Sequence, residues 1–317
     1  MKQPLIKLSH VSKYYKTRTG VSEGMRDINL EFYNNEFVAI TGESGSGKTT
    51  LLNVISGLDT YEDGELFYEG RETSHYTVKD FEKFRARNIG FVFQNYNVID
   101  AYTVYDNVEL ALLAQNYPKA KIKGRAIKLI EQVGLLSHIN QRTSKLSGGQ
   151  KQRVVIARAL AKDAPIILAD APTGNLDEQS GDEVLSLLKE ISKDRLVIMV
   201  SHNMKEVDKF ATRKIIMSDG NIKNDIILEK TISLKANLNA DKTKNNSFKK
   251  GFKIAFKNIL KTPKRSIFTL FLSSIVLFII VYFYSTLVVN VVDSITNNLS
   301  SDAKIALVKR DESKFTK

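Results

Sequence analysis

Cysteine is absent from the 317 residues of this sequence, which also has no tryptophan and only five prolines. Without cysteine the chain can form neither a disulfide nor a thiolate metal site, so its composition does not indicate a redox compartment. A chain of 317 residues is long enough for one sizeable α/β domain and an appended segment. Since composition alone does not indicate a function, the functional argument rests on the sequence motifs and their order.

Acidic residues are missing from one short segment. Residues 242–265 contain nine Lys and Arg and no Asp or Glu, whereas the whole chain has 47 basic and 35 acidic residues and a net charge of +12. A strongly basic protein can be a nucleic-acid-binding protein. Here most of the excess charge lies in one segment, so nucleic acid is not an expected partner.

Charge of either sign is missing from residues 267–292. These 26 residues are mostly Ile, Val, Leu and Phe, and the run is long enough to cross a bilayer with some tilt. The alternative is a buried core helix that is hydrophobic on all sides. Basic residues flank only the start of the run, so the positive-inside rule predicts a cytoplasmic N-terminal part and an external segment from residue 293.

Alternating apolar residues predict short strands near 5–11, 28–32 and 37–41, with a polar loop at 16–24. Helical periodicity over 103–136 predicts a separate small helical lobe.

A glycine-rich loop follows the strand predicted at 36–41. Residues 42–50, Gly-Glu-Ser-Gly-Ser-Gly-Lys-Thr-Thr, match the pattern G-x-x-x-x-G-K-[ST] and precede an apolar run with helical spacing. Such a loop turns its backbone N–H groups onto a triphosphate, and the helix N-terminus adds partial positive charge. Lys48 is expected to reach the β- and γ-phosphates and Thr49 to bind Mg²⁺. The alternative is a flexible Gly/Ser turn.

Further motifs lie at strand ends and at a helix start. The apolar strand 165–170 ends in Asp170, an arrangement that holds Mg²⁺ opposite a phosphate loop, and the strand 196–200 leads to His202. A strand at 89–93 delivers Gln94 to a loop. The segment Leu-Ser-Gly-Gly-Gln at 146–150 precedes a helix that is expected to run to about residue 160 and to present free N–H groups to an anion.

The motifs of residues 5–228, in their order along the chain, resemble those of an ABC-transporter nucleotide-binding domain. The signature L-S-G-G-Q is the most specific of them. The resemblance implies an α/β P-loop NTPase fold with a helical subdomain, ATP and Mg²⁺ as ligands, and a homodimer with two shared nucleotide sites. Within one copy, the implied ATP contacts are Tyr15 (stacking on adenine), Gly42, Ser44, Gly45, Ser46, Gly47, Lys48, Thr49 and Thr50. The second copy would contribute Ser147, Gly148, Gly149 and Gln150, with Asp177 at the dimer seam. Thr49, Gln94 and Asp170 would bind Mg²⁺, and His202 would contact the γ-phosphate.

One position departs from the family pattern. A glutamate normally follows the Mg²⁺ aspartate and polarises the attacking water, but Ala171 stands there and cannot accept a proton. The resemblance therefore implies an ATPase with almost no hydrolysis, in which Gln94 and His202 are the remaining catalytic candidates. Either the chain binds ATP without efficient turnover, or the residue was substituted to trap the ATP-bound dimer. Because the other nucleotide-contacting motifs are intact, the second explanation, a residue substituted to trap the dimer, is favoured.

Composition divides the chain into five predicted parts. Residues 1–228 form the nucleotide-binding domain and 229–247 a polar linker, followed by a basic amphipathic helix at 248–265 that is suited to an anionic membrane surface. The alternative for that helix is the solvated face of a globular helix. Residues 266–292 form the first transmembrane helix of a permease, and 293–317 begin an extracytoplasmic region.

The segment Pro-Thr-Gly-Asn-Leu-Asp at 172–177 and the fused span resemble the MacB-like and LolD-like subfamily with an FtsX-like permease. Members carry four spans per subunit, so the resemblance implies that the permease is incomplete here. It also implies an exporter or mechanotransmission system in the bacterial cell membrane that acts on amphiphilic peptides, antimicrobials or lipoproteins, with its nucleotide-binding domain in the cytoplasm. Expected partners are a second copy, membrane lipid, the remaining permease segments or a second permease chain, and an extracytoplasmic adaptor. The alternative is a regulatory membrane protein that controls an external partner such as a cell-wall hydrolase.

Overall fold

The computed structural model describes residues 3–17, 20–229 and 263–312. The chain divides into two units, Met1–Gly251 and Phe252–Lys317. The predicted linker and basic amphipathic helix lie almost entirely outside the described residues, so the boundaries proposed for them stay predictions.

The described residues of the first unit form two sheets. The antiparallel sheet has the strand order β2-β1-β4-β5, and the second sheet has the order β10-β9-β3-β8-β7-β6 with only its β9–β10 edge antiparallel. The strands are β1 (Ile6–Thr17), β2 (Gly20–Phe32), β3 (Phe37–Gly42), β4 (Asp63–Tyr68), β5 (Arg71–Glu72), β6 (Ile89–Val92), β7 (Ile166–Asp170), β8 (Leu196–Val200), β9 (Arg213–Ser218) and β10 (Asn221–Ile227).

Helices connect and cover these strands. They are α1 (Lys48–Ser56), α2 (Val78–Asn88), α3 (Val104–Ala114), α4 (Lys119–Gln132), α5 (Gly148–Leu160), α6 (Glu178–Ile191) and α7 (Met204–Phe210). Single 3₁₀ turns lie at Leu136–His138 and Thr143–Lys145. The helical lobe predicted from the periodicity of 103–136 corresponds to α3 and α4, and α5 ends at Leu160 as predicted.

The central sheet is buried on both faces, since successive residues of β3 enter different cores. Val38 and Ile40 pack in a cluster with α1 and the antiparallel sheet, whereas Phe37 and Ala39 pack in a cluster with α3 to α6. A strand that is buried on both faces reads as a continuous apolar run. The run before the glycine-rich loop therefore holds that loop rigidly at one edge of the sheet.

The polar loop predicted at 16–24 is wrong. Lys16 pairs with Val21 and Tyr15 with Ser22, so β1 and β2 continue into this segment as an antiparallel hairpin. The end of the hairpin is exposed, with Val21 68% exposed. A strand that is solvated on both faces shows no apolar alternation, and the absence of that alternation led to the prediction of a loop.

The described residues of the second unit form the long helix α8 (Pro263–Glu312). Among the described residues, Phe271–Val292 is the one helical stretch long and apolar enough to cross a membrane, with a mean hydropathy of 2.5 and none of its apolar window buried. The predicted span at 266–292 lies within α8. The helix continues past residue 292 into the segment predicted to be extracytoplasmic.

Candidate functional site

Four loops meet at one edge of the parallel sheet. Ile40 of β3 pairs with Val200 of β8, and Val200 pairs with Asp170 of β7, so these strands end at the same level. The neighbouring strand β6 runs in the same direction and carries Gln94 just beyond its end, while His202 follows β8. Ligands of open α/β sheets bind at this carboxyl edge. The structure thus brings Gln94, Asp170 and His202 to the edge that holds the glycine-rich loop.

The glycine-rich loop depends on glycine at two close approaches. Gly42 has φ 148° and Gly47 has φ 92°. A Cβ would lie 2.1 Å from the Met217 carbonyl oxygen at Gly42 and 2.4 Å from the Gly24 carbonyl oxygen at Gly47. Helix α1 begins directly after Gly47 and has no side-chain cap. The first N–H groups of α1 are therefore available to an anion.

The ammonium of Lys48 lies inside the loop. Its Nζ donates hydrogen bonds to the carbonyl oxygens of Gly42 (2.9 Å) and Glu43 (2.5 Å) and to Ser46 Oγ (3.1 Å). The side chain is 4% exposed. Burial lowers the pKa of Lys48, and the charge of Asp170 partly opposes this shift. Since loop oxygens engage all three protons, a bound phosphate oxygen must replace at least one of these acceptors.

The oxygen donors predicted for Mg²⁺ come from the start of α1, the loop after β6 and the end of β7. Burial raises the pKa of Asp170, while His202 and Lys48 act in the opposite direction. Thr49 is exposed at the start of α1, and Gln94 is also exposed. Across residues 3–17, 20–229 and 263–312, no three His, Cys, Asp or Glu cluster as metal ligands. One carboxylate with neutral oxygen donors fits Mg²⁺, which relies on substrate phosphates for further ligands.

Asn175 is a partner of Gln94 that the sequence analysis missed. Gln94 Nε2 lies 3.5 Å from Asn175 Oδ1, and Asn175 Nδ2 donates to the Gln94 carbonyl oxygen at 3.3 Å. A Cβ on Gly174 would lie 2.8 Å from Gln94 Nε2. The loop after β6 is therefore joined to the loop after β7, and the only signal in the sequence was the position of Asn175 between Asp170 and Asp177.

Ala171 has a left-handed backbone. Its φ is 43°, its N–H donates to the Val200 carbonyl oxygen at 3.0 Å, and its own carbonyl accepts from the Gly174 N–H at 3.1 Å. A residue other than glycine in this region costs about 1–3 kcal/mol of strain, and such residues cluster at functional sites. Hydrogen bonds on both sides fix this backbone, so the turn does not depend on the side chain at position 171.

Tyr15 lies beside the first turn of α1. Tyr15 is 37% exposed as a residue, and its hydroxyl donates to Asp59 Oδ2 at 2.9 Å and lies 3.5 Å from Thr50 Oγ1. The ring edge packs against Gly24, where a Cβ would lie 2.6 Å from Tyr15 Cε2. The residue predicted to stack on a base is therefore close to the phosphate loop and partly open to solvent.

The signature segment starts α5 with a capping box. Ser147 Oγ accepts the Gln150 N–H at 3.3 Å, and Gln150 Oε1 accepts the Ser147 N–H at 3.0 Å. Gln150 Nε2 also lies 3.2 Å from His138 Nε2, a contact absent from the sequence analysis. These bonds fix both side chains at the surface of the helical lobe.

The signature glycines allow α5 to approach α6 and the loop after β6. A Cβ on Gly148 would lie 2.8 Å from Tyr96 Oη, and a Cβ on Gly149 would lie 2.9 Å from Ser180 Cβ. Asp177 caps α6 by accepting the Ser180 N–H at 2.9 Å, and this backbone hydrogen bond is the main cause of its lowered pKa. The structure thus brings Asp177 and the signature together.

Comparisons with known proteins agree with this geometry. The family model described as ABC transporter matches residues 25–174. An uncharacterized ABC transporter ATP-binding protein of Methanocaldococcus jannaschii is 42% identical over 219 residues, which cover 69% of this chain and 97% of that protein. The chain belongs to the ABC transporter family. Its first unit is an ABC ATP-binding domain.

Larger relatives of the ABC domain include membrane exporters. The macrolide export ATP-binding/permease protein MacB of Haemophilus ducreyi is 41% identical over 226 residues, which cover 71% of this chain and 32% of that protein. The chain therefore matches only about a third of MacB. A solved dimeric structure of the ATP-binding cassette MJ0796, described as a post-hydrolysis state bound to ADP and Pi, is 36% identical. It covers 71% of this chain and 99% of its own, with a TM-score of 0.64, which confirms the predicted fold class.

Proposed function

We propose that this chain is the ATP-binding part of a MacB-like exporter or mechanotransmission system that acts on amphiphilic peptides, antimicrobials or lipoproteins. We further propose that Ala171 makes its ATP hydrolysis very slow. The observation that carries the first proposal is the convergence of the Gly42–Thr50 loop, Gln94, Asp170 and His202 at one sheet edge. The 41% identity to MacB over the ABC domain supports the exporter class.

ATP binding follows from the chemistry of this edge. The uncapped start of α1 offers backbone N–H groups to phosphate, and Lys48 adds a buried positive charge. Tyr15, which is partly exposed, offers a ring on which adenine can stack. When bound, Mg²⁺ would neutralise phosphate charge, and Thr49, Gln94 and Asp170 are the residues proposed to hold it.

The proposed functional unit is a homodimer, in which the signature of one copy faces the nucleotide of the other. Ser147 is exposed at the start of α5, and Asp177 is exposed at the start of α6 next to it. Two copies related by a two-fold axis would form two equivalent shared sites. The solved cassette MJ0796 is described as dimeric, which supports this assembly.

The proposed location is the bacterial cell membrane, with the ABC domain in the cytoplasm. The apolar stretch Phe271–Val292 supports a membrane span. Membrane lipid, further permease segments or a second permease chain, and an extracytoplasmic adaptor are the proposed partners. The similarity to MacB, which is described as an ATP-binding/permease protein, supports the permease partner.

The slow-hydrolysis proposal concerns the group next to the attacking water. Lys48, Asp170 and His202 keep the charge and positioning that phosphoryl transfer needs, so ATP should still bind. Ala171 supplies no carboxylate, and a positioned general base contributes about 10²–10⁴-fold to a rate. ATP and Mg²⁺ should therefore produce a long-lived closed dimer with negligible turnover.

The test is steady-state phosphate release by the purified chain and its Ala171→Glu variant in detergent. We expect Ala171→Glu to raise the rate by at least about 100-fold, because the carboxylate can orient water and accept its proton. Ala171→Gln is the matched control, since glutamine has nearly the same shape as glutamate but cannot act as a base. Equal rates for the parent and Ala171→Glu, with ATP binding intact, would show that another residue already orients the water.

A further inference from the structure

A buried lysine lies next to the Tyr15 ring. Lys13 is 5% exposed, and its Nζ lies 3.0 Å from Asp59 Oδ1 and 3.1 Å from Glu62 Oε1. Burial acts to lower the pKa of Lys13, but the hydrogen bonds with Asp59 and Glu62 outweigh it and the pKa is raised. The ammonium therefore stays charged, and the two carboxylates balance its charge.

The same cluster contacts Tyr15 on two sides. The Tyr15 hydroxyl donates to Asp59 Oδ2 at 2.9 Å, so Asp59 binds the lysine with one oxygen and the tyrosine with the other. Lys13 Nζ lies 5.2 Å from the centre of the Tyr15 ring, within cation–π range. Gly24 lies against the ring edge. The ring is thus held at its hydroxyl, at one face and at one edge.

The cluster also joins β1 to the segment after α1. Glu62 Oε2 accepts the Tyr14 N–H at 2.9 Å, and the Glu62 N–H donates to the Ser12 carbonyl oxygen at 3.0 Å. Asp59 Oδ1 accepts the Thr60 N–H at 2.8 Å. Because α1 begins at the phosphate loop, these bonds fix the distance between that loop and the tyrosine.

We propose that Lys13, Asp59 and Glu62 are positioning residues for the nucleotide base, because they hold the Tyr15 ring in the orientation that stacking requires. This inference rests on the proposed role of Tyr15 as the adenine platform. A ring that is fixed before binding loses less conformational freedom when the base arrives, and affinity rises accordingly. Lys13 covers one face of the ring, so a base stacks on the opposite face.

The experiment measures binding to the purified full chain by calorimetry, with ATP and inorganic tripolyphosphate as the two probes. Tyr15→Phe keeps the ring and removes its bond to Asp59, and Asp59→Asn removes the negative charge that Lys13 binds. Each substitution should lower the affinity for ATP about three- to tenfold, the effect expected for the loss of one hydrogen bond. Tripolyphosphate affinity should not change, because this probe has no base. Asp63→Asn, an exposed neighbour on β4, is the matched control and should change neither affinity.

Tyr15→Ala separates this inference from the proposed function. If Tyr15→Ala leaves ATP affinity unchanged, Tyr15 is not the adenine platform, and both that role and the positioning role are overturned while ATP binding at the phosphate loop stands. If Tyr15→Ala lowers ATP affinity while Tyr15→Phe and Asp59→Asn do not, only the positioning role is overturned. If the cluster has a purely structural role, Tyr15→Phe and Asp59→Asn would lower the affinities for ATP and tripolyphosphate equally and would lower the melting temperature. That result would also overturn the proposal.

Discussion

Two helix N-termini serve the proposed nucleotide site, and they differ in how their N–H groups are satisfied. Helix α1 follows Gly47 and has no side-chain cap. Helix α5 follows Ser147, and its capping box engages the N–H groups of Ser147 and Gln150 before any ligand arrives. The start of α1 is therefore open to an anion, whereas part of the start of α5 is already occupied by the chain itself.

This difference indicates that the N-termini of α1 and α5 have different functions. An uncapped helix start with a buried lysine can bind a phosphate within one copy. A capped start has fewer free N–H groups, so it gains most from a phosphate that another molecule already holds in place. We therefore expect α1 to set nucleotide affinity and α5 to set dimer stability.

The largest effect should come from the open end. In Gly47→Ala, the new Cβ would lie 2.4 Å from the Gly24 carbonyl oxygen, at a residue with φ 92°. We expect ATP affinity to fall about 100-fold, which is roughly 2.7 kcal/mol, as measured by calorimetry. Gly45→Ala is the control, since Gly45 has φ 81° but nothing within 4 Å of its Cβ position. If both variants lose affinity equally, strain alone decides the affinity and the close approach to Gly24 does not.

A smaller and different effect should come from the capped end. Ser147→Ala removes the capping oxygen of α5 and should weaken the ATP-dependent dimer about tenfold, while ATP affinity of the separate copy stays unchanged. Analytical ultracentrifugation with ATP and Mg²⁺ measures the dimer. Thr77→Ala breaks an equivalent capping box on α2 and is the matched control. A loss of nucleotide affinity in Ser147→Ala would show that the signature acts within one copy.

The smallest effect concerns Asp177, which caps α6 beside the signature. The Ser180 N–H lowers its folded-state pKa, so the folded chain favours the ionised carboxylate. The resulting stabilisation is present above the ordinary pKa and is lost as the pH falls through the lowered value. We expect the melting temperature of the parent to exceed that of Asp177→Asn at pH 7, with the difference shrinking below about pH 4. A constant difference across this range would exclude the charge as its cause.

The parts predicted correctly from sequence are those in which neighbouring residues carry the information. An apolar strand, a glycine-rich loop and a helix start follow each other directly in residues 36–55, and the same holds for the signature and α5. The convergence of the loops then follows from the parallel α/β arrangement, whereas the strand order β10-β9-β3-β8-β7-β6 was not predicted.

The parts that were missed depend on contacts between distant residues or on the backbone. Asp59 lies 44 residues from Tyr15, and Asn175 lies 81 residues from Gln94. Nothing near these residues in the sequence indicates a partner. The left-handed turn at Ala171 was also unpredictable, since alanine has no preference for that region and the hydrogen bonds that hold the turn include one to the distant residue Val200.

Helix α8 has a consequence of scale. At 1.5 Å per residue, its 50 residues extend about 75 Å, whereas the 22 residues of Phe271–Val292 account for about 33 Å. The hydrocarbon layer of a bilayer is about 30 Å thick. If this stretch spans the layer as proposed, the 20 residues from 293 to 312 continue as a rod of about 30 Å beyond it. A tilt of about 10° of this rod about the surface at which it leaves the layer would then displace its far end by about 5 Å, which is large enough to open or close a side-chain contact there.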